Sequence, residues 1–98
     1  MEIRTLRNGS ELTVILSGRL DTLTSPDLED KLEEELDGVE RLIFDLSELD
    51  YISSAGLRVL VGAYQEMSSL DGMIIRSPGT EVMEVFEITG LVQAFVFE

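Results

Sequence analysis

Apolar positions recur along this chain in two rhythms. Residues 12–16 (LTVIL), 42–44 (LIF) and 73–75 (MII) are nearly unbroken apolar runs, the pattern of strands buried on both faces. Between these runs the apolar residues fall at helical spacing. Leu28, Leu32 and Leu36 form one stripe on an otherwise acidic segment, and Leu57, Leu60, Val61, Tyr64 and Met67 form a broader one. Val82, Val85 and Phe86 mark a third helix, and AFVF (94–97) reads as a closing strand.

Turn and cap residues separate these segments. EIRTLR and SELTVILSG flank Asn8-Gly9, a dipeptide that predicts a two-residue hairpin turn because both positions tolerate positive φ. Ser25 before Pro26 reads as an N-cap followed by the first helical position. Gly38 and Asp71-Gly72 end the first two helices. Thr80 stands where it would cap the third, which runs to Gly90.

The order is a hairpin followed by helix, strand, helix, strand, helix, strand. Such alternation implies right-handed crossovers and a mostly parallel sheet. The expectation is therefore an α/β fold: a single domain over residues 1–98, with a mixed, mostly parallel sheet. An antiparallel N-terminal strand should lie at its edge, with helices packed on the sheet. Strand order does not follow from the pattern.

Composition narrows the function. The chain has no His and no Cys, so it has neither a Ser-His-Asp or Cys-His nucleophile nor an imidazole or thiolate metal site. Twenty Asp and Glu against seven Lys and Arg give a net charge of −13, a surface that repels nucleic-acid backbones. A protein partner with a basic face fits that charge, and so does plain solubility. MEIRTLRNG has no apolar signal-peptide core and no segment is a membrane span, so the expected location is cytoplasmic. Neither G-x-G-x-x-G nor G-x-x-x-x-G-K-[ST] occurs, which leaves a nucleotide-binding or enzymatic reading without a motif.

Strand-to-helix loops of a parallel sheet emerge at its carboxyl edge, where ligands and partners are engaged. Three loops qualify: residues 18–26, 47–56 and 76–80. Asp21 and the pair Ser53-Ser54 should meet there. A serine at this seam can cap the helix, and Ala55 and Gly56 leave room for another molecule's backbone or a phosphate. A helix N-terminus also tolerates a phosphate, through its free N–H groups and dipole. Asp45 and Asp50 read as loop-capping acids, Thr24 as a helix-start residue, and Phe86 and Phe95 as core. Arg58 and Tyr64 face either a partner or solvent.

The stretch LDYISSAGLRVL (49–60) resembles the signature of STAS domains, the family of bacterial anti-sigma factor antagonists. SGRLDTLTSPDL (17–28) looks like the family's segment after its second strand, and RLIFDLSELDYISSAGLRVLV like its central strand, phosphorylation loop and helix. GMIIRSP and VFEITGLVQAF resemble its closing half, so the likeness covers nearly the whole chain. A common form of the family's loop is Asp-Ser-Ser/Thr-Gly-Leu, with the serine after the aspartate phosphorylated. Aligned on Gly56-Leu57, the acceptor falls on Ser54 and the aspartate's place is taken by Ser53, which becomes the second candidate. Asp21 matches an aspartate that the family keeps beside the acceptor. Asp21, Thr24, Ser53, Ala55 and Gly56 are thus the implied partner-binding and phosphate-site residues.

The resemblance implies a binding switch and phosphorylation substrate, with no catalysis, cofactor or metal of its own. The unphosphorylated form would bind an anti-sigma factor that is itself a serine kinase, freeing the sigma factor; a serine phosphatase would reset the cycle. A phosphate adds about −1.5 to −2 charges. Two unit charges about 6 Å apart at an effective dielectric of about 20 repel by roughly 3 kcal/mol, and about 1.4 kcal/mol already changes affinity tenfold. The alternative is a non-switching STAS scaffold module of a stress-signalling or membrane-transport complex, which the serine at position 53 keeps open. A monomer is the simplest expectation.

Overall fold

The apolar runs become a five-stranded sheet in the computed structural model, which describes residues 1–98. In chain order the elements are β1 (Glu2–Asn8), β2 (Glu11–Leu20), α1 (Ser25–Glu35), β3 (Arg41–Ile52) and α2 (Ser54–Met67). They continue with β4 (Gly72–Arg76), α3 (Thr80–Ile88), a 3-10 turn at Leu91–Gln93, and β5 (Val96–Phe97). The strands lie in sequence order, β1-β2-β3-β4-β5, with β1 antiparallel at the edge and every other pair parallel. The α/β expectation and the antiparallel edge strand both hold.

Register explains which face is the core. Leu12, Leu42 and Met73 form one row across the sheet, and Val14, Phe44, Ile75 and Phe97 form the next. These rows meet Leu28 and Leu32 of α1, Leu57, Leu60, Ala63 and Met67 of α2, and Val82 and Phe86 of α3 in a single apolar cluster. Burying each such Leu or Phe side chain contributes about 1.5–3 kcal/mol. Phe86 packs edge-on against Phe95 and Phe97, with ring centroids 5.9 and 5.3 Å apart. The opposite face carries the row Leu6, Thr13, Ile43, Ile74 and Val96, where Leu6 and Val96 remain exposed.

Several local expectations shift. The hairpin turn is Gly9-Ser10 rather than Asn8-Gly9, since Asn8 still pairs with Glu11. Gly9 alone has positive φ (+63°), which excludes a type I′ turn and matches the Gly-first type II′. Thr24, not Ser25, is the N-cap of α1, and Gly79, not Thr80, is that of α3. The closing strand shrinks to Val96–Phe97, because Ala94 and Phe95 complete the turn that follows α3. Arg7, reaching from β1, donates Nη1 to the carbonyls of Glu35 and Asp37 at 3.2 and 3.3 Å. This satisfies groups left open at the end of α1.

The largest correction concerns the carboxyl edge. β2 and β3 run on through residues expected to be loop, pairing Gly18 with Leu49, Arg19 with Tyr51 and Leu20 with Ile52. Two register shifts accompany the extension, and β3 spends seven steps (Asp45 to Ile52) where β2 spends five (Ile15 to Leu20). β4, by contrast, ends at Arg76 opposite Asp45. The loop at Ser77–Gly79 therefore leaves the sheet seven residues short of Ile52, roughly 20 Å along the strand at about 3.3 Å per residue. Two loops meet at the working edge, not three.

Candidate functional site

The site is a seam where two strands stop together and two helices start. Leu20 ends β2, Ile52 ends β3, and the two are paired. The next residues, Asp21 and Ser53, are consequently neighbours, tied by the Ser53 N–H donating to Leu20 O at 2.9 Å. The sequence-level juxtaposition of Asp21 with the serines is present, and register is its cause.

On the Asp21 side the side chains of Asp21, Thr24 and Ser25 all have hydrogen-bond partners. Asp21 Oδ1 accepts from the backbone N–H of Leu23 (3.0 Å) and of Thr24 (3.2 Å). Thr24 Oγ1 accepts the Asp21 N–H at 2.9 Å, and its own hydrogen faces Arg19 O (2.9 Å) and Asp21 Oδ1 (3.2 Å). Ser25 is buried, and its hydroxyl donates to Asp21 O at 2.6 Å. Partial desolvation pushes the Asp21 carboxyl upward. The hydrogen bonds from Thr24 and Leu23 and the charge of Arg19 outweigh it, so the group sits below its ordinary value and is an anion at neutral pH. Asp21 and Thr24 thus brace the loop that begins α1.

On the serine side the helix start is open. Ser53 is the N-cap of α2, in extended conformation (φ −99°, ψ 176°), and its side chain makes no capping bond. Its Oγ is buried without a hydrogen-bond partner. Ser54, the first helical residue, is exposed. The first helical bond, Leu57 N–H to Ser53 O at 2.9 Å, leaves the N–H groups of Ser54, Ala55 and Gly56 outside the helix's own ladder.

Gly56 does something other than leave room for an outside molecule. It is buried, and a Cβ there would lie 2.7 Å from Leu20 Cγ and 3.0 Å from Ile52 Cγ1. The missing side chain lets α2 approach the paired strand ends, so this space belongs to the chain's own core. Ala55 does face outward. With Thr22, Pro26, Glu29, Arg58 and Val59 it lines a shallow depression of about 160 Å³ between the starts of α1 and α2.

Sequence reading missed three contributors here. Leu20 buttresses Gly56, and Ser25 ties the α1 start to Asp21 O. The Arg19 guanidinium lies 4.2 Å from the ring centre of Tyr51, on the strand residues just before the seam. No local signal links Arg19 to Tyr51, because the two register shifts decide which residues oppose one another.

Comparison with known proteins gives a consistent result. The STAS domain family model matches residues 2–98. The Bordetella bronchiseptica protein BtrV, which carries the name of an anti-sigma factor antagonist, is 36% identical over 86 residues, covering 86% of this chain and 74% of that protein. The crystal structure of an anti-sigma factor antagonist from Mycobacterium paratuberculosis superposes with a TM-score of 0.88 at 25% identity, covering 98% of this chain and 83% of that one. The antagonist SpoIIAA in its unphosphorylated form gives 0.78 at 17% identity, covering 99% and 87%. The phosphorylated form, from Bacillus, gives 0.77 at 19%, covering 99% and 91%. At those identities SpoIIAA speaks to the fold alone, and this chain resembles both forms equally well.

Proposed function

The chain belongs to the STAS domain family, and we propose that it is an anti-sigma factor antagonist switched by phosphorylation of Ser54. In this reading the unphosphorylated chain is a cytoplasmic monomer. It binds an anti-sigma factor with serine kinase activity and so releases the sigma factor. It is the substrate of that kinase and of a resetting phosphatase, not an enzyme itself.

The observation that carries the assignment is the contrast between the two serines. Ser54 presents an exposed hydroxyl on the first residue of α2, whereas the Ser53 hydroxyl is buried. A kinase needs the acceptor oxygen accessible to the γ-phosphate, and this favours Ser54. The open N–H groups of the first turn and the helix dipole stabilise an added dianion locally, so the domain keeps its fold. A partner closing over the seam must instead desolvate about 1.5 to 2 extra charges beside the anionic Asp21. A loss of roughly 3 kcal/mol, about a hundredfold in affinity, follows from one close repulsion at an effective dielectric of about 20.

The test pairs the purified chain with the serine kinase of its own genome, ATP and Mg²⁺. Mass spectrometry should find one phosphate, on Ser54. Ser54→Ala should bind the kinase undiminished and take up no phosphate, and Ser54→Asp should bind about a hundredfold more weakly with an unchanged circular dichroism spectrum. Phosphate on Ser53 would overturn the choice of acceptor. Stable binding with no phosphate on either serine would establish the non-switching scaffold instead.

A further inference from the structure

Away from the seam, α1 and α2 flank a groove of about 900 Å³, larger than the depression beside Ser54 and sharing Glu29, Arg58 and Val59 with it. Its apolar floor is built from Leu32 and Leu36 of α1 and its end, Val39, and Val59 and Ala63 of α2, with Leu70 at its border. Leu70 is 48% exposed although it is a large aliphatic side chain. The rim is acidic: Glu33, Asp37, Glu40 and Glu66 face the opening, and Arg58 is the one cation among the lining residues.

Gly62 stands in the wall of this groove, in the middle of α2. A glycine inside a helix is usually explained by close packing or by positive φ, and neither applies. Nothing lies within 4 Å of the position a Cβ would take, and its φ is not among the positive ones. The contrast with Gly56, six residues earlier in the same helix, is direct: there a Cβ would strike Leu20. Gly in a helix interior is less stable than Ala. Folding alone gives this helix no reason to keep Gly62, whereas keeping the groove open does.

We propose that the α1–α2 groove is a second protein-docking surface, which receives an amphipathic helix with an apolar stripe flanked by Lys and Arg. The apolar floor matches the stripe and the acidic rim matches the flanking cations. Anionic lipids, fatty acids and nucleic acids are repelled by the same rim. Absence of a side chain at Gly62 lets the incoming helix approach the α2 backbone. The surface lies beside the phosphoacceptor and does not depend on the Ser54 switch, so either reading can fail alone.

The test uses a fluorescein-labelled 18-residue Leu/Lys amphipathic peptide, with the same peptide carrying Glu for Lys as control, titrated into the isotope-labelled full chain. The Lys peptide should shift the amide resonances of Leu36, Val59, Gly62, Glu66 and Leu70, and the Glu peptide should shift none. Gly62→Leu should weaken Lys-peptide binding at least tenfold, and the double variant Glu33→Lys, Glu66→Lys should do the same, while Ser54→Asp leaves it unchanged. Gly62→Ala serves as the folding control: it should raise the Tm by roughly 2–8 °C while weakening the peptide. Shifts spread over the whole acidic surface, or undiminished binding by Gly62→Leu, would overturn the proposal, as would the absence of any binding.

Discussion

The starts of α1 and α2 lie side by side and are made from the same kinds of residue, yet one is closed and the other open. At α1 the side chains of Asp21, Thr24 and Ser25 engage one another and the loop backbone. At α2 neither serine makes a capping bond; one hydroxyl is buried without a partner and the other is exposed. The difference teaches where a modifying group can go. A helix start that satisfies its own N–H groups offers an added phosphate little, whereas one that leaves them free can hold it without refolding.

The contrast can be broken most severely from beneath. Gly56→Val places a branched side chain against Leu20 Cγ and Ile52 Cγ1 and should push α2 away from the strand ends. Overpacking of this kind costs about 1–3 kcal/mol, and urea denaturation should show a loss near the top of that range. An unchanged midpoint would mean that the seam is not close-packed and that the open helix start is not held in place by the strands.

A finer test exchanges hydroxyls. Ser25→Ala removes a buried donor bonded to Asp21 O at 2.6 Å and should cost about 1 kcal/mol. Ser53→Ala removes a buried hydroxyl that has no partner, so its cost should stay below about 0.5 kcal/mol, although an N-cap serine ordinarily contributes more. Equal losses for the two variants would erase the distinction between the closed and the open start.

The smallest expected effect is a pH dependence at the closed start. The folded state holds the Asp21 carboxyl below its ordinary value, so the unfolded chain takes up this proton first as pH falls. The stability it contributes is fully present above about pH 4, the unfolded value, and is lost as pH drops through the folded one. Thermal melts of the wild type and Asp21→Asn should therefore differ by a constant amount from pH 5 to 8 and begin to converge as pH falls below about 4. A gap that widens on acidification would show that the charge on Asp21 does not support the loop.

Most of the element list was legible because its signals are local. Leu28, Leu32 and Leu36 fix the facing of α1, but its C-cap is the right-handed Leu36, and Gly38, at φ +78°, lies in the turn two residues beyond instead of capping the helix itself. The alternation of helices and strands dictated a mostly parallel sheet, and the short hairpin dictated an antiparallel edge. Cap positions slipped by one residue at Ser25 and Thr80, because Asp21 and Gly79 supply backbone geometry that those side chains alone do not announce.

The candidate site divides along the same line. Its address, the strand-to-helix seam at Ser53-Ser54 with Asp21 opposite, follows from sequence, because chain direction in a parallel sheet puts those loops at one edge. Three things were left to tertiary structure: that the loop at Ser77–Gly79 stays away, that Ser53 turns inward while Ser54 turns out, and that the space at Gly56 is filled by Leu20. The first follows from β4 ending opposite Asp45, and the others from the pairing of β2 with β3, whose two register shifts decide that Leu20 and Ile52 end side by side. Turn chemistry and periodicity act over a few residues. The burial of one hydroxyl beside another is decided by strands that meet from distant parts of the chain.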